Sequence, residues 1–344
     1  MDLALLRELT EAVGTPGREE PVRAILRRYL EGHVDELRTD ALGNLIARKG
    51  SGPVRVLLDG HMDEVGLIVS GFTPEGYLQF KKSGGIDDRV LPGRAVWVGP
   101  QRLPGVIGLK APHLSRGEKE MKAVPARELV IDIGARSREE AMALCDYGDP
   151  VVWATRLEEF GPYGIKAKAL DNRVGCALAA EVIRHAEVRN ISLYAVFAVQ
   201  EEIGLRGARV AARQVSPHVA LALECTSNGE GPGVSPPETV TLLGKGPALS
   251  WMDGTAIVPE GLRRHLEALA ERAGIPYQYR TLTTAGTDAG QIHLARAGVP
   301  TAVVSVPCRY IHSGAGLIHR QDYEGALALV RLFVESIEKG EYRP

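Results

Sequence analysis

Apolar residues open the chain at helical spacing. In DLALLRELTEAV, Leu3, Leu6 and Leu9 fall on one side of a helix that the Gly14–Gly17 stretch stops. REEPVRAILRRYLE repeats the pattern with Val22, Ile25, Leu26 and Leu30. Val54 to Leu58 differs: it is an apolar run too short for a helix, bounded by Gly52-Pro53 and Gly60. Such a run predicts a strand buried on both faces, inside a helix-covered sheet.

From about Leu67 the pattern shortens. Glycines and prolines punctuate β-rich pieces: LIVSGFTPEGYLQF as a hairpin, then RAVWVG, GVIGLKA, LVIDIGA and VVWATRL, with one helical pattern, SREEAMALCDYG. Through Tyr163 this predicts a compact β-barrel-like unit with exposed apolar residues such as Phe72, Tyr77 and Trp97. Helix and strand patterns then alternate again. NRVGCALAAEVIRHA, RGARVAARQ, EGLRRHLEALAERAG and TDAGQIHLARAG read as helices, and SLYAVFAV, VALALE, YQYRTL and TAVVSV as strands. A long helix from Tyr323 to Lys339 closes the chain. The expected class is α/β: a mixed sheet flanked by helices over residues 1–66 and 164–344, split by an inserted β-rich domain over 67–163.

Charge narrows the partners. A formal net charge of -2 over 344 residues argues against a phosphate-tracking nucleic-acid surface. No apolar run is long enough to span a bilayer, and MDLALLRELTEAVG lacks the basic and apolar regions of an export signal, so a cytoplasmic location is expected. Cys145, Cys176, Cys225 and Cys308 are too scattered for a zinc knuckle and are expected to be buried thiols.

Charged residues gather where the buried strands end. VRVLLDGHMDE leads to Asp59, His61 and Asp63, LYAVFAVQEE to Glu201 and Glu202, VALALE to Glu224, and AVVSVPCRYIHS to His312. Ligands of open α/β sheets bind beyond the carboxyl ends of the strands, so four strands deliver these groups to one rim. Asp171 joins them from the start of the helix that re-enters the α/β unit. Taken singly, Asp171 reads as a helix cap, Glu201-Glu202 as a solvated pair and the histidines as packing residues. Glu224 is harder to place, because a carboxylate on a buried strand needs a partner or a metal. Together, imidazoles and carboxylates without thiolate fit Zn²⁺, Co²⁺ or Mn²⁺. Six candidates are enough for two ions sharing one carboxylate.

LLDGHMDEVGLIV, LDNRVGCA, AVQEEIG, ALECT and GTDAGQIHLARAGVPTAVVSVPCRYIHS resemble the M42 metallo-aminopeptidases over essentially the whole chain. The resemblance implies a peptide hydrolase with two divalent ions, Zn or Co with Mn as an option, acting on N-terminal residues. It assigns His61, Asp171 and Glu224 to one ion and Asp171, Glu202 and His312 to the other, with Glu201 as general base. Asp63 would orient the His61 ring. It also implies a homo-oligomer, a twelve-subunit dodecamer assembled from dimers made through the inserted unit. Two positions depart from the family: Glu224 stands where many relatives carry Asp, and Gly314 where Pro is usual. A related amidohydrolase, a carboxypeptidase or deacylase, is the alternative, with Arg309 available to a substrate carboxylate. An endoglucanase fits less well, since glycosidases need no obligate metal. His113 reads as a surface or packing residue, Asp288 as a pocket residue or a cap, and His293 and His319 as structural.

Overall fold

The computed structural model describes residues 1–110, 123–231, 233–235, 238–281 and 285–344, so His113 lies outside the described residues. Helix α1 (Leu3–Glu11) starts at Asp2, whose carboxylate accepts the Leu5 amide at 2.9 Å, and it buries Leu5, Leu6 and Leu9. Helix α2 (Glu20–Leu30) buries Val22, Leu26 and Leu30. Strands β1 (Glu36–Thr39), β2 (Leu45–Lys49) and β3 (Val54–His61) follow. The first two carry no clear alternation and are not among the predicted strands.

Six strands then close a barrel: β4 (Gly66–Phe72), β5 (Leu78–Ser83), β6 (Ala95–Val98), β7 (Leu103–Gly108), β8 (Val130–Asp132) and β9 (Pro150–Trp153). The helical pattern within it is α3 (Arg138–Leu144). The barrel has its own core, which includes Leu67, Val69, Phe72, Leu78, Ile131 and Val151. Phe72 is therefore buried, against the expectation that it is exposed, whereas Tyr77 is exposed. A register shift between Val69 and Gly71 inserts one extra residue, which turns Phe72 back to the inside.

The chain re-enters the large sheet through β10 (Glu158–Phe160) and β11 (Gly164–Ala167), then α4 (Leu170–His185), β12 (Ile191–Ala198), α5 (Arg206–Val215) and β13 (Val219–Ser227). The β-rich texture groups Glu158–Phe160 with the insertion, but these residues pair with β11 at the edge of the large sheet. Three residues alone do not reveal which sheet they will join. Strands β14 (Ala248–Ser250), β15 (Gln278–Arg280), β16 (Thr301–Arg309) and β17 (Gly316–His319), with helices α6 (Glu260–Ala273), α7 (Ala289–Ile292) and α8 (Arg320–Glu338), complete it. The TDAGQIHLARAG pattern thus yields only a four-residue helix.

The sheet order is β1-β2-β12-β3-β13-β16-β17-β11-β10, with β12, β3, β13 and β16 mutually parallel. Successive residues of these strands face opposite cores. Val56, Leu58, Leu221 and Leu223 pack with α1, α2, α4, α6 and α8, while Leu57 and Ala220 pack with α5 and α7. Both faces are covered, which is why the runs are continuously apolar. The result is the α/β sheet with an inserted barrel that the sequence implies. All four cysteines are buried and free.

Candidate metal centre

The parallel strands all point the same way, so their carboxyl ends meet. β3 ends at His61. β12 ends at Ala198, and Gln200, at φ +58°, turns the chain so that Glu201 and Glu202 follow at the rim. Glu224 lies within β13, and β16 leads to His312, itself at φ +57°.

Asp171 enters from the first turn of α4, where Asp171 and Asn172 leave helical geometry and are joined by a cis peptide. The Asn172 side chain locks that turn in place. Its Nδ2 donates to the Leu223 carbonyl at 2.8 Å and to Glu224 Oε2 at 2.9 Å, and its Oδ1 accepts the Gly175 amide at 2.9 Å. A Cβ on Gly175 would lie 2.0 Å from the Leu223 carbonyl oxygen, so only glycine allows α4 to approach β13 this closely.

The side chains converge on Asp171. Its Oδ1 is 3.4 Å from His61 Nε2 and its Oδ2 is 3.1 Å from His312 Nε2. His61 Nε2 is also 3.8 Å from both Glu201 Oε2 and Glu224 Oε2, and His312 Nε2 is 3.4 Å from Glu202 Oε1. Three donor sets have ligating atoms within 4.8 Å of one another: His61, Asp171 and Glu224; His61, Glu201 and Glu202; and Asp171, Glu202 and His312. Glu224 Oε1 is buried with no hydrogen-bond partner. That is an acceptor a cation would satisfy, and the oxygen and nitrogen donors suit zinc-like ions.

The electrostatics also call for positive charge. Burial pushes the Glu201, Glu202 and Glu224 carboxyls above their ordinary range. Burial would raise Asp171 too, but hydrogen bonds from His312 and His61 outweigh it and hold Asp171 low. Burial disfavours a charged His312, yet Asp171 and Glu202 push its pKa up to about 11. His61 is raised well above 6.5 against the same burial, through Glu201, Asp171 and Asp63. Imidazolium charge balances the carboxylates where metal charge could.

Surrounding groups fix the geometry. Asp63 Oδ1 accepts the Glu201 amide and Oδ2 the Glu202 amide, each at 3.0 Å. The expected carboxylate contact to the His61 ring is longer, 3.6 Å, and the Asp63 carbonyl takes Nδ1 at 3.0 Å. With both carboxylate oxygens occupied by amides, the backbone orients the ring. His312 Nδ1 meets the Gly85 carbonyl, two residues beyond β5 of the barrel, at 2.9 Å. Glu19 Oε1 accepts the amides of Gly17 at 2.7 Å and Gln200 at 3.2 Å. Beneath, buried Glu64 Oε1 pairs with Lys168 at 2.7 Å and Arg173 at 3.1 Å, while Arg173 also reaches the Met62 and Gly14 carbonyls.

All seven predicted site residues meet at this rim. Others fall elsewhere. Arg309 is held by Glu230 at 2.9 Å. Asp288 makes no cap hydrogen bond and is fully buried facing Asp59, whose pKa burial pushes up to about 7. Burial holds the Cys225 thiol well above its ordinary pKa. Asn172, Gly85 and Glu19 were not recognisable from the sequence; the N that follows Asp171 in LDNRVG is the only signal among them.

The sequence pattern of the M42 glutamyl aminopeptidase family matches residues 43–329. The lysyl aminopeptidase of Pyrococcus furiosus is 33% identical over 358 residues, covering 100% of both chains. The TET aminopeptidase of a Thaumarchaeota archaeon superposes with a TM-score of 0.93 at 38% identity, over 99% of this chain and 98% of that one. The TET1 peptidase of Pyrococcus horikoshii, described as assembling into a tetrahedron or a large octahedral shell, gives 0.86 at 35% identity, over 96% and 98%. The chain belongs to the M42 family of metal-dependent aminopeptidases.

Proposed function

We propose that this chain removes the N-terminal residue of short peptides with water activated between two divalent ions, Zn or Co with Mn as an option. The observation that carries this reading is Asp171 dividing its two carboxylate oxygens between His61 and His312. His61, Asp171 and Glu224 would hold one ion, and Asp171, Glu202 and His312 the other. Bound ions supply Lewis-acid polarisation and water acidic enough to ionise near neutrality.

The chain's own groups do the rest. Glu201 takes the proton of the attacking water and delivers it to the departing amine. Its burial raises its proton affinity, and positive charge beside it brings that affinity back towards the working range. Asp63 fixes the base through the backbone amide. Gly85 holds the His312 ring from the barrel side.

The same reading includes a cytoplasmic, peptide-processing homo-oligomer, with the barrel as the assembly unit and twelve subunits as the count. Four buried free thiols fit a reducing compartment. Exposed Ile68, Tyr77, Val106 and Tyr147 give the barrel unit apolar surface for self-association, and the P. horikoshii relative forms a shell. The test is hydrolysis of leucyl-p-nitroanilide by protein stripped with chelator and reloaded with Zn²⁺, Co²⁺ or Mn²⁺. Turnover must need the ion and must vanish on the N-acetylated compound. Equal hydrolysis of the acetylated form would favour a deacylase or endo-acting amidohydrolase.

A further inference from the structure

The two proposed ion sites differ in what holds their ligands. His61 meets the Asp63 carbonyl and Glu224 the Asn172 side-chain amide, all within the α/β sheet domain. The ligands of the second ion lean on the barrel instead. His312 meets the Gly85 carbonyl, and a Cβ on Gly84 would lie 3.3 Å from Glu202 Cβ. The loop that carries His312 also holds two non-glycine residues at positive φ, Tyr310 at +60° and His312 itself at +57°. Such a backbone persists only where surrounding contacts hold it.

Trp153, the last residue of β9, supplies one of those contacts. It is 4% exposed, and a Cβ on Gly314 would lie 2.8 Å from its Cδ1. The indole therefore packs directly on the backbone two residues beyond His312, and any side chain at Gly314 would push it away. Thr155 Oγ1 holds the same spot by donating to the Gly314 carbonyl at 2.6 Å. The Trp153 N–H is buried with no hydrogen-bond partner among the described residues, and so is Glu64 Oε2. Both residues line one pocket of about 20 Å³ beside Asp171 and His312. A single water needs about 10–15 Å³ of such space. Accepting from the indole and donating to the carboxylate, it completes both groups at once.

We propose that Trp153 is a positioning residue for the second ion: its ring seats the His312 loop at Gly314, and its N–H, through one ordered water, ties that ring to Glu64. This rests on the two-ion aminopeptidase reading and adds to it a residue of the inserted barrel. Trp153 touches neither ion nor substrate; it acts through His312.

The test is Zn²⁺ binding to the metal-free protein by calorimetry, with occupancy at each site read from anomalous peaks in crystals grown at graded Zn²⁺. Trp153→Leu should weaken the ion beside His312 and Glu202 by roughly 10- to 100-fold, the usual effect of losing a group behind a ligand. The ion beside His61 and Glu224 should be unmoved. Trp153→Phe keeps a ring and loses only the N–H, so its effect should have the same selectivity and be smaller. Gly314→Ala presses on the ring from the loop side and should also weaken the second ion. Combined with Trp153→Leu, the added methyl fills vacated space, so the double variant should bind the second ion more tightly than either single one. A tryptophan that merely stabilised the barrel would neither spare one ion nor give that rescue. Should the Trp153 variants not fold, Gly314→Ala alone must weaken the second ion selectively. Wild-type crystals should show a water within hydrogen-bond distance of Trp153 Nε1 and Glu64 Oε2. Equal weakening of both ions, no weakening of either, a double variant no better than the single ones, or a wild-type pocket without that water overturns the proposal. A wild type that binds no second ion, or that cleaves no free-amine p-nitroanilide, defeats the two-ion aminopeptidase reading beneath it.

Discussion

Asp63 Oδ1 accepts the backbone amide of Glu201 at 3.0 Å, which fixes the base through its main chain while leaving its carboxylate free. Oδ2 does the same for Glu202, so one buried carboxylate sets both the base and a neighbouring ligand. Asp63→Asn would aim an amide N–H at one of two N–H groups. Activity should fall roughly 10- to 100-fold, the usual effect of losing a group behind a metal ligand. Steady-state kinetics with metal analysis checks it, and unchanged kcat would remove Asp63 from the account.

Glu201 is assigned to proton transfer and not to ligation. Glu201→Gln keeps the shape and loses the base. It should retain both ions while kcat drops by about 10²–10⁴-fold. Loss of an ion in this variant would make Glu201 a ligand instead.

The site is legible in the sequence where chemistry sits at the end of a patterned element. The runs before Glu201 and Glu224 are continuously apolar, so the first charged residue after each had to lie at the rim. In β3, by contrast, the first is Asp59, buried within the strand, and His61 follows two residues later at its end. Backbone groups leave no such trace. The Gly85 carbonyl that holds His312 comes from the barrel, and nothing in the sequence around Gly85 announces it. Arg309 stood out because it precedes His312 closely, yet it is spent on Glu230. Arg280, inside an ordinary-looking short strand, is the guanidinium that lines the cleft. The Phe72 error has the same root, since a one-residue bulge reverses which side chains face inward.

Metal uptake should release protons. The neighbouring carboxylates raise the His312 pKa to about 11 and that of His61 as well, favouring the protonated rings, and an imidazole must be neutral to ligate. Loading both sites should release at least about two protons per chain, and affinity should rise with pH. Calorimetry in buffers of different ionisation enthalpy measures this. Release of none would mean that the imidazoles are already neutral before the ions bind.

Glu19 supplies a separate pH signature. Burial raises its pKa from 4.5 to about 7 against the amides that favour its charge. A carboxyl raised on folding contributes stability that is present below pH 4.5 and is lost as pH rises through 7. Relative to Glu19→Gln, whose Oε1 can accept the same amides, the wild type should lose about 3 kcal/mol across that interval. Denaturant unfolding of both proteins at several pH values tests the difference. Parallel curves would show that Glu19 does not titrate there.

The central claim is that Asp171 bridges two ions, and anomalous diffraction from crystals grown with Zn²⁺ tests it most directly. The account predicts two peaks flanking the Asp171 carboxylate, about 3.5–4 Å apart, one beside His61 and Glu224 and the other beside His312 and Glu202. A single peak, or two peaks not bridged by Asp171, would contradict it.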